Sequence, residues 1–154
     1  MSDAQINWFE SAPEWLSDGT FDLNSNTFKT TLHTSMYLPD SVTQSVYADL
    51  TNELPTANGY TNGGQTLTGV AWTRAGLTDK FSSNAPVWNA SGGPITARYA
   101  VIRAVGTLNG RVDPVIAYIL LDSTPADVTA TDGNTFTITP NASNGWFKQT
   151  AANA

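Results

Sequence analysis

The chain of 154 residues contains no cysteine, a single histidine and few charged side chains. Without cysteine no disulfide can form, which fits synthesis in a reducing cytoplasm. One histidine, His33, and no cysteine leave no clustered ligands for zinc, and only one candidate base for a serine or cysteine triad. We therefore predict no catalytic residue set, no metal and no cofactor, and we interpret His33 as a structural or solvent-facing residue of a strand.

Charged residues make up 13% of the chain, and the formal net charge is −6. The seven lysine and arginine residues are scattered singly along the sequence and form no basic patch in it. Binding to nucleic acid needs clustered basic side chains that neutralise phosphates. We therefore predict no direct contact with nucleic acid.

Long hydrophobic runs are also missing. The longest run, Val115 to Leu121, has seven residues, whereas a membrane-spanning helix needs about 20. The N-terminal segment MSDAQINWFESAPEWL has neither a basic start nor a continuous apolar stretch, so we expect no signal peptide. We predict a protein that is made in a cytoplasm and has no membrane partner.

The chain instead has many threonine, asparagine, serine and alanine residues, arranged in short alternating segments between turns. The clearest strand pattern covers Ile95 to Val105, and Asn109-Gly110 supplies a tight turn before the apolar strand Val115 to Leu121. Six to eight strands spaced in this way, with little helix, are typical of an antiparallel β-sandwich or barrel. We favour a mainly β, single-domain, jelly-roll-like sandwich with one or two short helices near the N-terminus.

Three segments differ in composition and predict the organisation of the domain. Residues 1–20 are predicted as an aromatic-rich arm or short helix, residues 21–148 as the β-sandwich domain, and residues 149–154 as a flexible tail. No repeat or linker interrupts the middle segment, so we expect one domain.

Helix signals are few. Ser11 is the predicted cap of a short helix that ends at Asp18-Gly19. The segment Leu38-Pro39-Asp40-Ser41 predicts a turn. Apolar residues at helical spacing between Val42 and Leu54 then predict one or two further helical turns.

The large apolar residues near the N-terminus allow two interpretations. A helix of about one and a half turns is not stable alone and must pack its aromatic residues on something. These residues pack either in the core of the domain itself or on a partner, for which buried tryptophans are typical anchors. On the second interpretation the candidate partner-binding residues are Trp8, Phe9, Trp15, Leu16, Trp146 and Phe147.

The segment Gly59 to Gly69, GYTNGGQTLTG, contains four glycines and could be taken for a nucleotide-binding loop. A P-loop needs a lysine after its second glycine, and a dinucleotide-binding loop needs a helix after it. Here Gln65 stands where the lysine would be, and a threonine-rich strand pattern follows. We interpret these glycines as turn residues with positive φ that let Tyr60 fold back.

The acidic residues show no recognisable spacing for a calcium-binding loop and no recognisable carboxylate pair for glycoside cleavage. Asp127, Asp132 and Asn134 lack the spacing of an EF-hand calcium loop, and Asp132-Gly133-Asn134 predicts a hairpin turn. A carboxylate pair for glycoside cleavage comes together only in space, and the sequence singles out no such pair.

Several short sequence words follow one another between about residue 20 and residue 147. In the front half they are Phe28-Lys-x-x-Leu-x-Thr-Ser35, Asp49-Leu-Thr-Asn-Glu-Leu54 and Gly59-Tyr-Thr-x-Gly-Gly-x-x-Leu67. In the back half they are Ile95-Thr-Ala-Arg-x-Ala-Val-Ile102, Pro114-x-Ile-Ala-Tyr118 and Asp132-Gly-Asn-Thr-Phe-Thr-Ile-Thr139. In this order they resemble a family of small virion proteins of tailed bacteriophages and prophages.

The resemblance implies a non-enzymatic β-sandwich component of the virion, and within it a capsid decoration (cement) protein on the capsid exterior. The implied partners are the major capsid protein or other virion subunits, together with copies of the chain itself in a trimer or dimer. The family has no known catalytic residue set, so the resemblance supplies no active site. Residues 1–20 are less typical of the family, which leaves room for a role specific to this phage.

Two other functions stay open. The chain could be a tail, neck or fibre-adaptor subunit of the virion. It could also be a carbohydrate-binding β-sandwich that helps adsorption to the host, with exposed tryptophans and loops rich in asparagine and aspartate contacting the sugar.

Overall fold

A computed structural model describes residues 5–151 of the chain. In chain order its elements are β1 (Gln5–Trp8), α1 (Ser11–Ser17), β2 (Phe28–His33), a 3₁₀ turn (Tyr47–Asp49), β3 (Gln65–Thr66), β4 (Ala71–Ala75), β5 (Thr78–Ser82), β6 (Val87–Asn89), β7 (Ile95–Ala97), β8 (Tyr99–Ala104), β9 (Thr107–Leu108), β10 (Arg111–Val112), β11 (Val115–Leu120), β12 (Val128–Ala130), β13 (Thr135–Thr137) and β14 (Phe147–Thr150). The predicted mainly β class is confirmed.

The largest sheet has five strands in the order β1-β11-β8-β2-β3, and all of its pairs are antiparallel. Strands β8 and β11 are mostly apolar and buried, as expected for strands whose sheet is covered on both faces, and Arg103 in β8 is the only charged residue in the two strands. A bulge between Val115 and Ala117 interrupts the pairing of β11 with β8. The neighbouring residues Val115 and Ile116 face opposite sides of the sheet and belong to two separate apolar clusters.

The opposite layer of the sandwich consists of shorter antiparallel pieces, ordered β14-β5-β4, β13-β6 and β12-β7. Their buried side chains, such as Phe81, Trp88 and Phe136, join those of the large sheet in one core. The rings of Phe28 in β2 and Phe81 in β5 meet edge to face, with centroids 5.2 Å apart. Contact between the inner faces of two antiparallel layers is what defines a β-sandwich.

The second face of the large sheet is covered by residues 34–54, which we call the cover loop. Tyr37 of this loop is fully buried in an apolar cluster with Phe9, Val101 and Val115. The helical turns predicted for this segment are reduced to the single 3₁₀ turn. Leu50 packs on the sheet with Tyr37, and the Asp49 carboxylate accepts hydrogen bonds from the backbone N–H groups of Ser45 and Val46 at the start of the turn.

The N-terminal segment is part of the sandwich from Gln5 onwards. Strand β1 pairs with β11 at the edge of the large sheet, and α1 follows it. The helix ends at Asp18 and Gly19 as predicted, but Ser11 is its first residue rather than its cap, a position taken by Glu10. The predicted arm is therefore an edge strand and a helix of the domain, and residues 1–4 lie outside the described residues.

The C-terminal boundary also differs from the prediction. Strand β14 continues to Thr150, and the N–H of Ala151 donates a hydrogen bond of 2.8 Å to the carbonyl of Leu77. Residues 149–151 thus belong to the three-stranded sheet rather than to a flexible tail, and residues 152–154 lie outside the described residues.

Candidate functional site

The six apolar residues predicted as partner contacts lie mainly in the core of this chain. Phe9, Trp15, Trp146 and Phe147 are buried, and Trp8 and Leu16 are half-buried against the core. The ring centroid of Trp8 lies 4.2 Å from that of Phe147, so β1 and β14 are joined across the two layers. In the single chain these residues hold the sandwich together, and a surface for a partner has to be sought elsewhere.

The glycine-rich segment forms turns, as predicted. Gly59, Gly63, Gly64 and Gly69 all have positive φ. A Cβ on Gly59 would overlap the carbonyl oxygen of Asn89, so the close approach of two backbone segments also requires glycine there. Tyr60 folds back between the layers and is almost completely buried.

The Glu53 carboxylate connects the cover loop with the glycine-rich segment. One of its oxygens accepts hydrogen bonds from the Tyr60 hydroxyl (2.6 Å) and from the N–H of Gly63 (2.7 Å). The other oxygen accepts one from the Tyr47 hydroxyl. Burial, together with this contact to Glu53, raises the pKa of Tyr47 to about 12. A carboxylate held by three donors acts as a structural anchor rather than as a free base.

Arg103 of β8 closes the same network from the sheet side. Its guanidinium lies 4.0 Å from the ring centroid of Tyr47, donates to the carbonyl of Gly63 at 3.0 Å and lies 3.5 Å from the Asp113 carboxylate. Arg103 thus joins three segments to the large sheet: the cover loop through Tyr47, the glycine-rich segment through Gly63, and the turn before β11 through Asp113.

His33 is a buried structural residue beneath the cover loop. Its Nδ1 donates to the carbonyl of Thr51 at 2.8 Å, because a carbonyl can only accept, and its Nε2 lies 2.9 Å from the Thr31 hydroxyl. The ring packs on Tyr37, with centroids 4.6 Å apart. Burial lowers the pKa of His33 and keeps the imidazole neutral at pH 7.

Residues 5–151 contain no group of three or more His, Asp and Glu side chains that could hold a metal ion. The Asp132 carboxylate accepts a hydrogen bond of 2.9 Å from the N–H of Gly92, within a turn where Gly133 has positive φ. In the same part of the chain no helix is long and apolar enough to cross a membrane.

Exposed apolar side chains are concentrated on the cover loop. Met36, Leu38 and Val42 are 74%, 77% and 67% exposed, and we call these three residues the ledge. The other exposed large apolar residues of the described chain are distributed over separate strands and turns: Leu77, Val87 and Val112. The ledge was not predicted from the sequence, in which residues 38–41 indicate only a turn. The sequence signal for it is the apolar run Met36-Tyr37-Leu38 next to that turn; the structure shows that its tyrosine is buried and its other two residues are exposed.

Hydrogen bonds hold the ledge in one conformation. The Gln44 side chain accepts from the Tyr37 hydroxyl at 2.7 Å and donates to the carbonyl of Leu38 at 3.3 Å. The Asn52 amide donates to the carbonyl of Met36 at 3.0 Å, and the Asp40 carboxylate accepts from the N–H of Val42 at 3.0 Å. The exposed side chains therefore project from a backbone that is fixed on both sides of Tyr37.

Comparison of the chain with models of protein families, with curated proteins and with solved structures finds no match. The observations that bear on function are therefore the short sequence motifs between about residues 20 and 147 and the exposed ledge.

Proposed function

We propose that this chain is a non-enzymatic structural protein of a tailed-bacteriophage virion. Specifically, we infer that it is a capsid decoration protein, which binds the outside of the shell formed by the major capsid protein and stabilises it. The order of the short sequence motifs between about residues 20 and 147 supports the assignment to a virion. The ledge is the single observation that supports a protein-binding role.

Isolated exposed apolar residues are normal on a protein surface, whereas a group of them on one element is typical of a contact with another protein. The ledge places three such residues within one short segment, in which Asp40 is the only charged residue. A surface of this kind fits an apolar depression between capsid subunits better than a charged one.

The rigidity of the ledge matters for affinity. Binding costs the entropy of every loop and side chain that becomes ordered, and this cost is smaller when the backbone is already fixed. The buried Tyr37 and its bond to Gln44 supply that order before binding. The buried aromatic residues support this role indirectly, because they make the sandwich rigid. We infer further that the chain acts as a trimer or dimer around a symmetry axis of the shell.

The experiment uses phage particles that lack this protein, to which purified protein is added before sedimentation. The test variant carries Met36→Ser, Leu38→Ser and Val42→Ser. The matched control carries Leu77→Ser, Val87→Ser and Val112→Ser, which removes the same number of exposed apolar side chains elsewhere. We expect the control to sediment with particles and the ledge variant to stay in solution while its circular dichroism is unchanged. Equal decoration by both variants would overturn the ledge as the contact.

The carbohydrate-binding alternative depends on exposed tryptophans. Trp15, Trp88 and Trp146 are buried, Trp8 packs on Phe147, and Trp72 is half-buried. The structure thus offers no fully exposed indole ring on which a sugar could stack, and the virion role is preferred. Binding of the isolated protein to a glycan array would favour the alternative.

A further inference from the structure

Arginine and lysine side chains differ in their ion pairing in this fold. Each of the four arginines lies close to an aspartate: Arg74 to Asp79 (2.7 Å), Arg98 to Asp127 (2.9 Å), Arg103 to Asp113 (3.5 Å) and Arg111 to Asp18 (3.4 Å). None of the three lysines forms an ion pair within residues 5–151. In a chain with a formal net charge of −6, lysines without a carboxylate partner are unexpected.

Two of these lysines lie directly opposite each other. Lys80 in β5 pairs in register with Lys148 in β14, and on its other side with Thr73 in β4. The neighbouring residues Phe81 and Phe147 are buried in the core, so the alternation of strand side chains directs both lysines outward. Like charges directly opposite each other destabilise a sheet unless a counter-charge is bound between them.

The two lysines line one cavity of about 300 Å³ at this outer face. Thr73, Thr78, Ser143 and Asn144 contribute polar groups to the lining, and no carboxylate does. We call this set the lysine cradle. It escaped the sequence analysis because β5 and β14 are far apart in the chain.

A hydrogen-bonded turn forms one wall of the cradle. The Lys80 Nζ donates to the carbonyl of Ala142 at 3.0 Å, which fixes the ammonium while leaving two of its three donors free. The Asn141 side chain accepts hydrogen bonds of 2.9 Å from the N–H groups of both Ser143 and Asn144. The ammonium group of Lys148 has no hydrogen-bond or ion-pair partner within the described part of the chain.

We propose that the lysine cradle binds a tetrahedral oxyanion, a phosphate or sulfate group. Two ammonium groups act as point charges that can share such an anion, and the threonine and serine hydroxyls can donate to its remaining oxygens. No arginine lines the cavity, so the positive charge there comes from the two lysine ammonium groups alone. The group can come from free inorganic phosphate or from a phosphorylated sugar, and the shared chemistry is the phosphate. This site is independent of the proposed contact between the ledge and the capsid.

The experiment is a titration of the full-length, isotope-labelled protein with inorganic phosphate, followed by amide resonances at constant ionic strength. We expect saturable shifts of the amides of residues 78–80 and 143–148 at about 10 mM phosphate. The Lys80→Gln, Lys148→Gln double variant should lose these shifts. Lys29→Gln, which removes the third lysine on the other sheet, should keep them.

Three further measurements test the specificity of the site. Acetate at the same concentration should produce no saturable shift, and glucose 6-phosphate binding more tightly than inorganic phosphate would identify a sugar phosphate as the source. Phosphate should also raise the thermal midpoint of the wild-type protein and not that of the double variant. Equal shifts with acetate, or shifts that persist in the double variant, would overturn the proposal.

Discussion

The hydroxyl of Tyr60 lies 2.6 Å from the Glu53 carboxylate and accepts a hydrogen bond of 3.0 Å from the N–H of Leu32. Through this one atom the glycine-rich segment, the cover loop and strand β2 are held together. The ledge belongs to the same cover loop, so its position relative to the sheet depends on this contact.

Tyr60→Phe should lower the free energy of unfolding by about 1–3 kcal/mol. The substitution leaves the buried N–H of Leu32 without its partner and removes one of the donors to Glu53, and an unpaired buried polar group costs this amount. Urea unfolding followed by tryptophan fluorescence measures the change. Tyr118→Phe is the control, because Tyr118 is half-buried and its hydroxyl has no hydrogen-bond partner in the described chain. Equal losses in the two variants would count against the anchoring role of Tyr60.

Gly59→Ala should be more destabilising than Gly110→Ala. Both residues have positive φ, which costs a residue with a Cβ about 1–2 kcal/mol. At Gly110 a Cβ meets nothing within 4 Å, whereas at Gly59 it would overlap the carbonyl oxygen of Asn89. We expect an additional loss of about 1–3 kcal/mol for Gly59→Ala. Denaturant midpoints compare the two variants, and similar midpoints would show that the close approach is not required.

Protonation of His33 should make the free energy of unfolding depend on pH below about pH 6.5. The pKa of His33 is lowered from 6.5 by burial, so below pH 6.5 the unfolded chain binds a proton that the folded chain does not. The contribution of neutral His33 to the free energy of unfolding is therefore complete above pH 6.5. It decreases as the pH falls from 6.5 to the pKa of His33 in the folded chain. The slope for one proton is at most about 1.4 kcal/mol per pH unit.

Urea unfolding of the wild type and of His33→Gln at a series of pH values measures this contribution. The groups facing His33 are the Tyr37 ring, the Thr31 hydroxyl and, through its charge, Glu53. The aspartates with lowered pKa, such as Asp40 and Asp49, lose their contribution only as the pH falls through values below 3.8. The variant should therefore show a flatter profile just below pH 6.5, where the wild type loses stability through His33. An unchanged slope would assign the pH dependence to another group.

Truncation of a core residue should lower the free energy of unfolding much more than truncation of a ledge residue. Phe9→Ala removes a fully buried ring and should cost about 3–5 kcal/mol of unfolding free energy. Leu38→Ala removes an exposed side chain and should change it by less than about 0.5 kcal/mol. Thermal unfolding distinguishes the two. A large loss in Leu38→Ala would show that the ledge belongs to the core rather than to a contact surface.

Local patterns predicted those parts of the fold that depend on neighbouring residues. The apolar segment 115–121 forms β11, and Asn109-Gly110 turns the hairpin between β9 and β10. The segment 95–105, predicted as one strand, instead divides at Arg98 into β7, which pairs with β12, and β8, which pairs with β11. The positive φ of the glycine-rich segment and the burial of Tyr60 were predictable for the same reason, because φ preferences are local.

Contacts between distant segments could not be predicted in this way. The apolar residues from Val42 to Leu54 satisfy helical spacing, yet no helix forms: Leu50 packs with Tyr37 on the second face of the sheet, whereas Val42 is exposed. No local signal identifies that face of the sheet. The pairing of β1 with β11 likewise decides that Phe9 is buried instead of being presented to a partner. Both the ledge and the lysine cradle arise from such long-range packing.

The copy number of this protein in purified virions is the most direct test of its proposed role as a capsid decoration protein. Quantitative mass spectrometry, together with a low-resolution image of the particle, supplies both number and position. A decoration protein should be present in on the order of hundreds of copies spread over the outside of the shell, as repetition by capsid symmetry requires. A few copies confined to the neck or tail would contradict this assignment and would favour the tail, neck or fibre-adaptor role.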